Sequence, residues 1–216
     1  MASAQSAHLK TIQLCIVGIL FLVLAYGCGP IYNGSHDTSD GDLEYELSND
    51  DQEYPPEPFG YGVGDTMENF LLFDCDGRPI QLSDYYGDIK AILINQSAGW
   101  CSVCNRETPT LESWHQELKG DGIIVLQALF ENNAFQPANA AFCKAWRDRY
   151  GLTLPVLLDV DNFFREYHPS IQAGSAQYGT PLNVILDADM KIQYLLEGDM
   201  PPEMKDILIQ TANASN

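Results

Sequence analysis

"ILINQSAGWCSVCNRETP" runs from Ile92 to Pro109, and its reading decides the fold. It begins inside a continuous apolar run, Ala91 to Asn95, of strand length and without helical periodicity, which marks a strand buried on both faces. It then turns through Gly99 and Trp100 into Cys101-Ser102-Val103-Cys104, and a helix-like stretch continues to Lys119. A cysteine pair at a strand-to-helix junction stands where ligands and reactive groups gather in open α/β sheets. The helix start also offers unpaired N–H groups and a partial positive charge, both of which favour a thiolate. Two-residue spacing puts both sulfurs on one turn. Cys101 reads as the exposed nucleophile and Cys104 as the more buried thiol that resolves a mixed disulfide. Zinc needs a second ligand pair, yet no other Cys-X-X-Cys exists and the four histidines are scattered. A purely structural bridge so short would restrain little chain. The two sulfurs carry the electrons themselves, so no cofactor and no metal is called for.

Outward from this centre the pattern repeats. "ENFLLFDCDGRPIQLSDYYG" holds two short strands around an Asp76-Gly77 turn, and "GIIVLQALF" is a second buried strand. "PANAAFCKAWRDRYG" is a helix ending at Gly151, "LPVLLD" a third strand, and "DNFFREY" a short helix. "LNVILDADMKIQYLLEG" is a hairpin, and "PPEMKDILIQTA" is a closing helix whose prolines suit a first turn. The expected architecture is α/β: a mixed central sheet covered by helices on both faces, with an N-terminal hairpin and an inserted helix. Trp114, Phe142 and Trp146 fall on helix positions that pack a core.

Before the domain the composition changes. Asp37, Asp40, Asp42, Glu44, Glu46, Asp50, Asp51, Glu53 and Glu57 meet no Lys or Arg between Pro30 and Pro58. That stretch reads as a solvated, self-repelling tether, stiffened at its end by the prolines of "EYPPEPFGYGVG". The formal net charge of −19 over 216 residues argues against nucleic acid as a partner. At the N-terminus, His8 and Lys10 precede an apolar run from Ile12 to Ala25 and then "AYGCG", the layout of a secretory signal. The expected organisation is a signal at 1–27, an acidic, disordered linker at 28–62, and a folded α/β domain at 63–216.

"LAYGC" resembles a bacterial lipoprotein box, which implies that Cys28 is acylated and anchors the chain to a membrane. Simple secretion and an uncleaved anchor are the alternatives. Each places the domain outside the cytoplasm, where disulfides persist. If Cys28 carries lipid, Cys75, Cys101, Cys104 and Cys143 remain, an even number. Cys75 and Cys143 either form a second disulfide or stand as separate thiols, with Cys143 facing the core.

"WCSVC", Pro109, and "YGTP" (Tyr178 to Pro181) before a late strand together resemble the thioredoxin superfamily over about Thr66 to Ala212. The resemblance implies a cis bond at Thr180-Pro181 facing the cysteines, with the residue before the proline offering its backbone to an incoming thiol or peptide. It also implies that Trp100 is exposed beside the nucleophile. Asn95, "DCDGRPIQLSD", and the run Cys101, Cys104, Glu107, Pro109 resemble the extracytoplasmic TlpA/ResA-like branch. In that branch the glutamate lies near the thiols and influences their protonation, a role that would fall to Glu107; the alternative is an acid that merely complements the helix dipole. The implied activity is thiol:disulfide exchange with cysteine-containing envelope proteins and an upstream electron donor or acceptor. A non-catalytic envelope lipoprotein that uses the fold for binding is the alternative of another class. A peroxiredoxin-like peroxidase is disfavoured, because Ala98 and Cys101 occupy the positions three before Cys101 and Cys104, where the peroxidatic threonine would stand.

Overall fold

The computed structural model describes residues 53–215. The segment expected to be a signal, Cys28 and most of the expected linker lie outside the described residues.

Seven strands form one sheet in the order β2-β1-β5-β4-β3-β6-β7. At its centre, β3 (Ala91–Ala98) pairs in parallel with β4 (Ile123–Glu131) and antiparallel with β6 (Leu182–Asp187). β5 (Val156–Leu158) runs parallel to β4 and is followed outward by the hairpin of β1 (Leu71–Asp74) and β2 (Pro79–Gln81). β7 (Ile192–Glu197) closes the other edge, antiparallel to β6. Every residue of β3 is buried, as its continuous apolar run demands.

Strand alternation sorts the core into two layers. Ala91, Leu93, Val125 and Ile185 face the layer that holds Leu111 and Leu118 of α1 (Ser102–Leu118), Cys143 and Trp146 of α2 (Ala140–Tyr150), and Met204, Leu208 and Ala212 of α4 (Met204–Ala214). Ile92, Ile94, Leu126 and Val184 face the opposite layer with Met67, Phe70, Leu82, Phe164 and Tyr167. The three long helices therefore share one face. The other is covered by extended chain, by 3-10 turns at Leu82–Tyr85 and Phe163–Tyr167, and by a single helical turn that bonds to Tyr61 and Tyr167. Of the helices expected on both faces, this face thus carries only a short one. Aromatic bulk makes this possible, since Phe70, Phe163, Phe164 and Tyr167 pack edge-on or tilted with centroids 5.1–6.1 Å apart. That helical turn is α3 (Pro169–Gln172).

The folded unit starts earlier than its expected boundary at residue 63. Tyr54 packs against the second layer and donates its hydroxyl to the Met67 carbonyl at 2.7 Å, and Phe59 bridges Thr66. The end of the presumed spacer is thus core cover, because its tyrosine supplies apolar area that the short 3-10 turns leave unfilled. At the other end, Pro201 and Pro202 form a turn before α4 instead of opening its first turn. α2 is bounded as its sequence suggests: Asn139 caps the start through the Phe142 amide, and Gly151 ends it at φ 60°.

Candidate active site

β3 delivers the chain to Ala98, a tight turn follows, and Cys101 becomes the N-cap of α1. The Cys101 amide donates to the Ala98 carbonyl at 3.2 Å. Asn105 fixes the turn from within the helix, donating its amide to the carbonyls of Gly99 (2.9 Å) and Cys101 (2.7 Å) while accepting the Tyr150 hydroxyl (2.6 Å). The Sγ of Cys101 takes the place of a capping oxygen and accepts the Cys104 amide at 3.0 Å. Cys101 and Cys104 are joined as a disulfide.

Thr180-Pro181 is cis, and the Cys101 sulfur lies 3.6 Å from the Thr180 carbonyl oxygen. The late "GTP" is therefore brought against the cysteines across 79 residues of sequence. Pro181 is buried and Thr180 half-buried. Cys101 was expected to be exposed, yet it retains only 4% exposure against 0% for Cys104. The Thr180 carbonyl, Phe130, Val103 and Tyr178 pack around the pair, so Cys104 is the more buried of the two and Cys101, the expected nucleophile, is itself nearly covered. Trp100 stands out at 37% exposure, with its indole N–H donated to Glu131 at 2.7 Å.

Glu107 lies one turn beyond Cys104 on the buried side of α1. Its Oε1 accepts the Met200 amide at 2.6 Å, and Oε2 has no hydrogen-bond partner among the described residues. Burial raises its pKa, opposed by the Met200 hydrogen bond. In the disulfide state the carboxyl is thus bound to the loop between β7 and α4 and to neither sulfur. It lines an open cleft with Trp114, Asp199, Met200 and Pro201.

Cys75 and Cys143 form a second disulfide, 1% and 0% exposed, linking the turn after β1 to α2. It lies in the helical core layer, apart from the Cys101 cluster.

Beneath the cysteine pair lies a network that sequence reasoning touched only at Asn95. Asn95 donates to Asn183 Oδ1 (2.8 Å) and accepts from Ser97 (2.6 Å) and Gln127 (3.2 Å). The Gln127 amide also reaches Ser97 and Thr108, and its oxygen accepts the Trp146 indole at 2.8 Å. Thr108 returns the chain of bonds to the Cys104 carbonyl at 2.8 Å. Every member is neutral, so the floor of the site is polar and satisfied without a buried charge. A signal existed: Asn95, Gln127 and Asn183 interrupt three apolar strands at the same register.

A second network, missed entirely, supports the cis-proline loop. Glu197 accepts from the amides of Gly179 (3.0 Å) and Ser170 (2.8 Å) and from the Ser170 hydroxyl (2.7 Å). Buried His168 lies between Glu197 (3.5 Å) and Gln96 (2.9 Å), and Gln96 in turn donates to Asp159 (2.7 Å) and Asn162 (2.8 Å). Asn162 donates to the Tyr178 hydroxyl at 2.6 Å. Burial pushes His168 down to about 4 and Asp159 up to about 6.

Residues 63–195 match the AhpC/TSA family. The chain is 27% identical over 142 residues to the thiol-disulfide oxidoreductase ResA of Geobacillus kaustophilus, covering 65% of this chain and 72% of that one. It is 31% identical over 98 residues to ResA of Bacillus subtilis, covering 45% and 50%. Among solved structures, it superposes on a putative thiol:disulfide interchange protein DsbE from Chlorobium tepidum with TM-score 0.55 and 20% identity, over 72% of this chain and 99% of that one. A thioredoxin family protein from Chlorobium tepidum TLS gives TM-score 0.56 at 18% identity, over 73% and 99%. At those identities the structures establish the fold, which is thioredoxin-like.

Proposed function

Because the chain belongs to the AhpC/TSA family, and within the thioredoxin superfamily is TlpA/ResA-like, we propose that it exchanges electrons with cysteine-containing protein partners through Cys101 and Cys104 outside the cytoplasm. The observation that carries this reading is the position of Cys101: N-cap of α1, its sulfur on the Cys104 amide at 3.0 Å and against the cis-proline loop at 3.6 Å. Once the disulfide is opened, that amide and the helix dipole favour negative charge on the Cys101 sulfur.

The Cys101 thiolate attacks one sulfur of a partner disulfide, a Cys101–partner bond forms, and the other partner sulfur leaves as thiolate. Deprotonated Cys104 then attacks Cys101, the Cys101–Cys104 bond forms, and the partner departs with both sulfurs reduced. Two electrons have passed to the partner; in reverse, the same steps oxidise it. Cys104 is wholly buried, so partners meet Cys101 first. Pro181 shapes the surface beside that sulfur, Thr180 offers its backbone, Trp100 shields the thiol, and Glu107 tunes protonation in the reduced state, when Cys104 carries a proton to lose.

The extracytoplasmic setting is supported by the apolar run from Ile12 to Ala25 and by the second, buried disulfide. Lipid on Cys28 would tether the domain through the acidic linker; mass spectrometry of the mature N-terminus tests this, and an unmodified Cys28 sinks it. For the exchange itself, a Cys104→Ser variant expressed in its native envelope should accumulate mixed disulfides on Cys101. Failure to trap any protein there would favour a binding module without redox turnover.

A further inference from the structure

The loop between β4 and α2 carries an exposed aromatic side chain that the exchange chemistry alone does not use. Phe135 is 63% exposed and has φ 57°, a backbone region that bulky residues rarely adopt. The loop imposes that conformation: Asn132 Oδ1 accepts the amides of Ala134 (2.8 Å) and Gln136 (3.2 Å), and the Asn132 amide donates to the Gln136 carbonyl (2.8 Å). Glu131 and Pro137 bridge below the turn. The turn aims the Phe135 ring onto Trp100, stacked at 5.1 Å and 18°. Its other side presses on the active-site turn so closely that a Cβ on Gly99 would stand 2.8 Å from the Asn133 backbone nitrogen.

From there aromatic rings continue across the redox centre. Trp100 meets Phe130 edge-on at 6.3 Å, and Phe130 meets Tyr178 at 6.4 Å, beside the cis-proline loop. The ribbon thus starts in the loop after β4, passes the residue adjoining Cys101, and ends at Tyr178, which packs against the cluster that holds Cys101 and Cys104. The one polar handle of its exposed part, the Trp100 N–H, is occupied by Glu131. What Phe135 and Trp100 offer to solvent is hydrocarbon, fixed in place and continuous with the sulfur that partners must reach. Rigid, exposed aromatic rings of this kind are typical anchors of recognition surfaces.

Building on the exchange reading above, we propose that Phe135 is a specificity-determining residue, which with Trp100 receives an aromatic or large apolar side chain next to the partner's reactive cysteine. A partner strand entering to place its sulfur on Cys101 crosses Trp100, and its neighbouring side chain lands on the Phe135 edge of the stack.

The test uses reduced Cys104→Ser protein and symmetrical disulfides of a short peptide whose cysteine is followed by Phe, Gly or Arg. Attack by Cys101 forms the mixed disulfide and releases one peptide thiol, so mass spectrometry gives the rate for each peptide. The Phe peptide should react about tenfold faster than the Gly peptide. The ratio should fall towards one in Phe135→Gly, a change the positive φ accommodates, and should persist in Phe135→Trp. An unchanged ratio in Phe135→Gly, equal rates for all three peptides, or a preference for Arg overturns the proposal. Equal, rapid reaction leaves the exchange reading standing. Failure of all three peptides and of glutathione disulfide to react overturns both.

Discussion

Replacing Cys75 and Cys143 by alanine together should cost far more stability than replacing Cys101 and Cys104 together. The two disulfides close loops of very different size, with sequence separations of 68 and 3. Loop-closure entropy then assigns about 4.4 kcal/mol to the first and about 1.6 kcal/mol to the second at 25 °C. A domain has roughly 5–15 kcal/mol in all, so the longer bridge is a sizeable share of the total. Other contacts between the hairpin turn and α2 do not replace it. Asp76 pairs with Arg147 at 2.7 Å and Lys144 at 3.1 Å, but Asp76 is 40% exposed, and such pairs contribute about 0–1 kcal/mol each. Guanidinium unfolding of both double variants, compared with the oxidised parent, is the assay. Loss of the Cys75–Cys143 bridge should cost about 3–5 kcal/mol, lower Tm by about 10 °C, and raise m because the denatured chain is released. Loss of the active-site bridge should cost less than about 2 kcal/mol. The reasoning is refuted if the order is reversed, or if removing the longer bridge costs under about 1 kcal/mol with m unchanged.

Three further outcomes follow from the buried networks and the active-site turn. Gln127→Ala strands the indole of Trp146 and leaves Asn95, Ser97 and Thr108 short of a donor; a loss of about 3 kcal/mol or more is expected in denaturant titration. Gly99→Ala drives a methyl into Asn133 and should lower Tm by several degrees while disturbing the Trp100–Phe135 stack, read as a change in tryptophan fluorescence. His168 and Asp159 give opposed pH dependences. The unfolded chain protonates His168 first, so its share of stability is lost as pH falls from 6.5 to about 4. The unfolded chain deprotonates Asp159 first, so its share is lost as pH rises from 3.8 to about 6. Each share is about 3 kcal/mol, and the two offset across the common window. His168→Gln should therefore expose a stability that declines from pH 4 to 6, and Asp159→Asn one that declines from pH 6.5 to 4. Parallel profiles in chemical denaturation for both variants would contradict this.

The centre of the fold was legible because its signals are local. A buried parallel strand needs an apolar run, a helix start needs a cap, and "AILIN…CSVC" supplies both within 14 residues, Ala91 to Cys104. The pairing of Cys75 with Cys143 stayed open, since spacing says nothing about which side chains the sheet brings together. Tyr54 was hidden for a related reason: its proline- and acid-rich surroundings read as a tether, and only the three-dimensional gap over Met67 gives its ring a place. Phe135 sits in "NNAFQPANA", which resembles any polar connection; its exposure, its positive φ and its stack on Trp100 come from the Asn132 turn pressed on Gly99. The neutral amide floor could have been read more fully, because Asn, Gln and Asn inside three apolar strands must find partners. His168 and Glu197 carried no such signal, being single polar residues in short connections and at a strand end.

The central claim is that Cys101 and Cys104 form an exchanging couple while Cys75 and Cys143 do not. Equilibration of the folded domain in a series of glutathione buffers, followed by alkylation and peptide mass spectrometry, measures both pairs at once. The account predicts a reversible two-thiol transition at Cys101 and Cys104, with Cys75 and Cys143 staying closed throughout the series. No transition at Cys101 and Cys104 between fully oxidising and fully reducing buffers would contradict it, as would opening of the buried pair first.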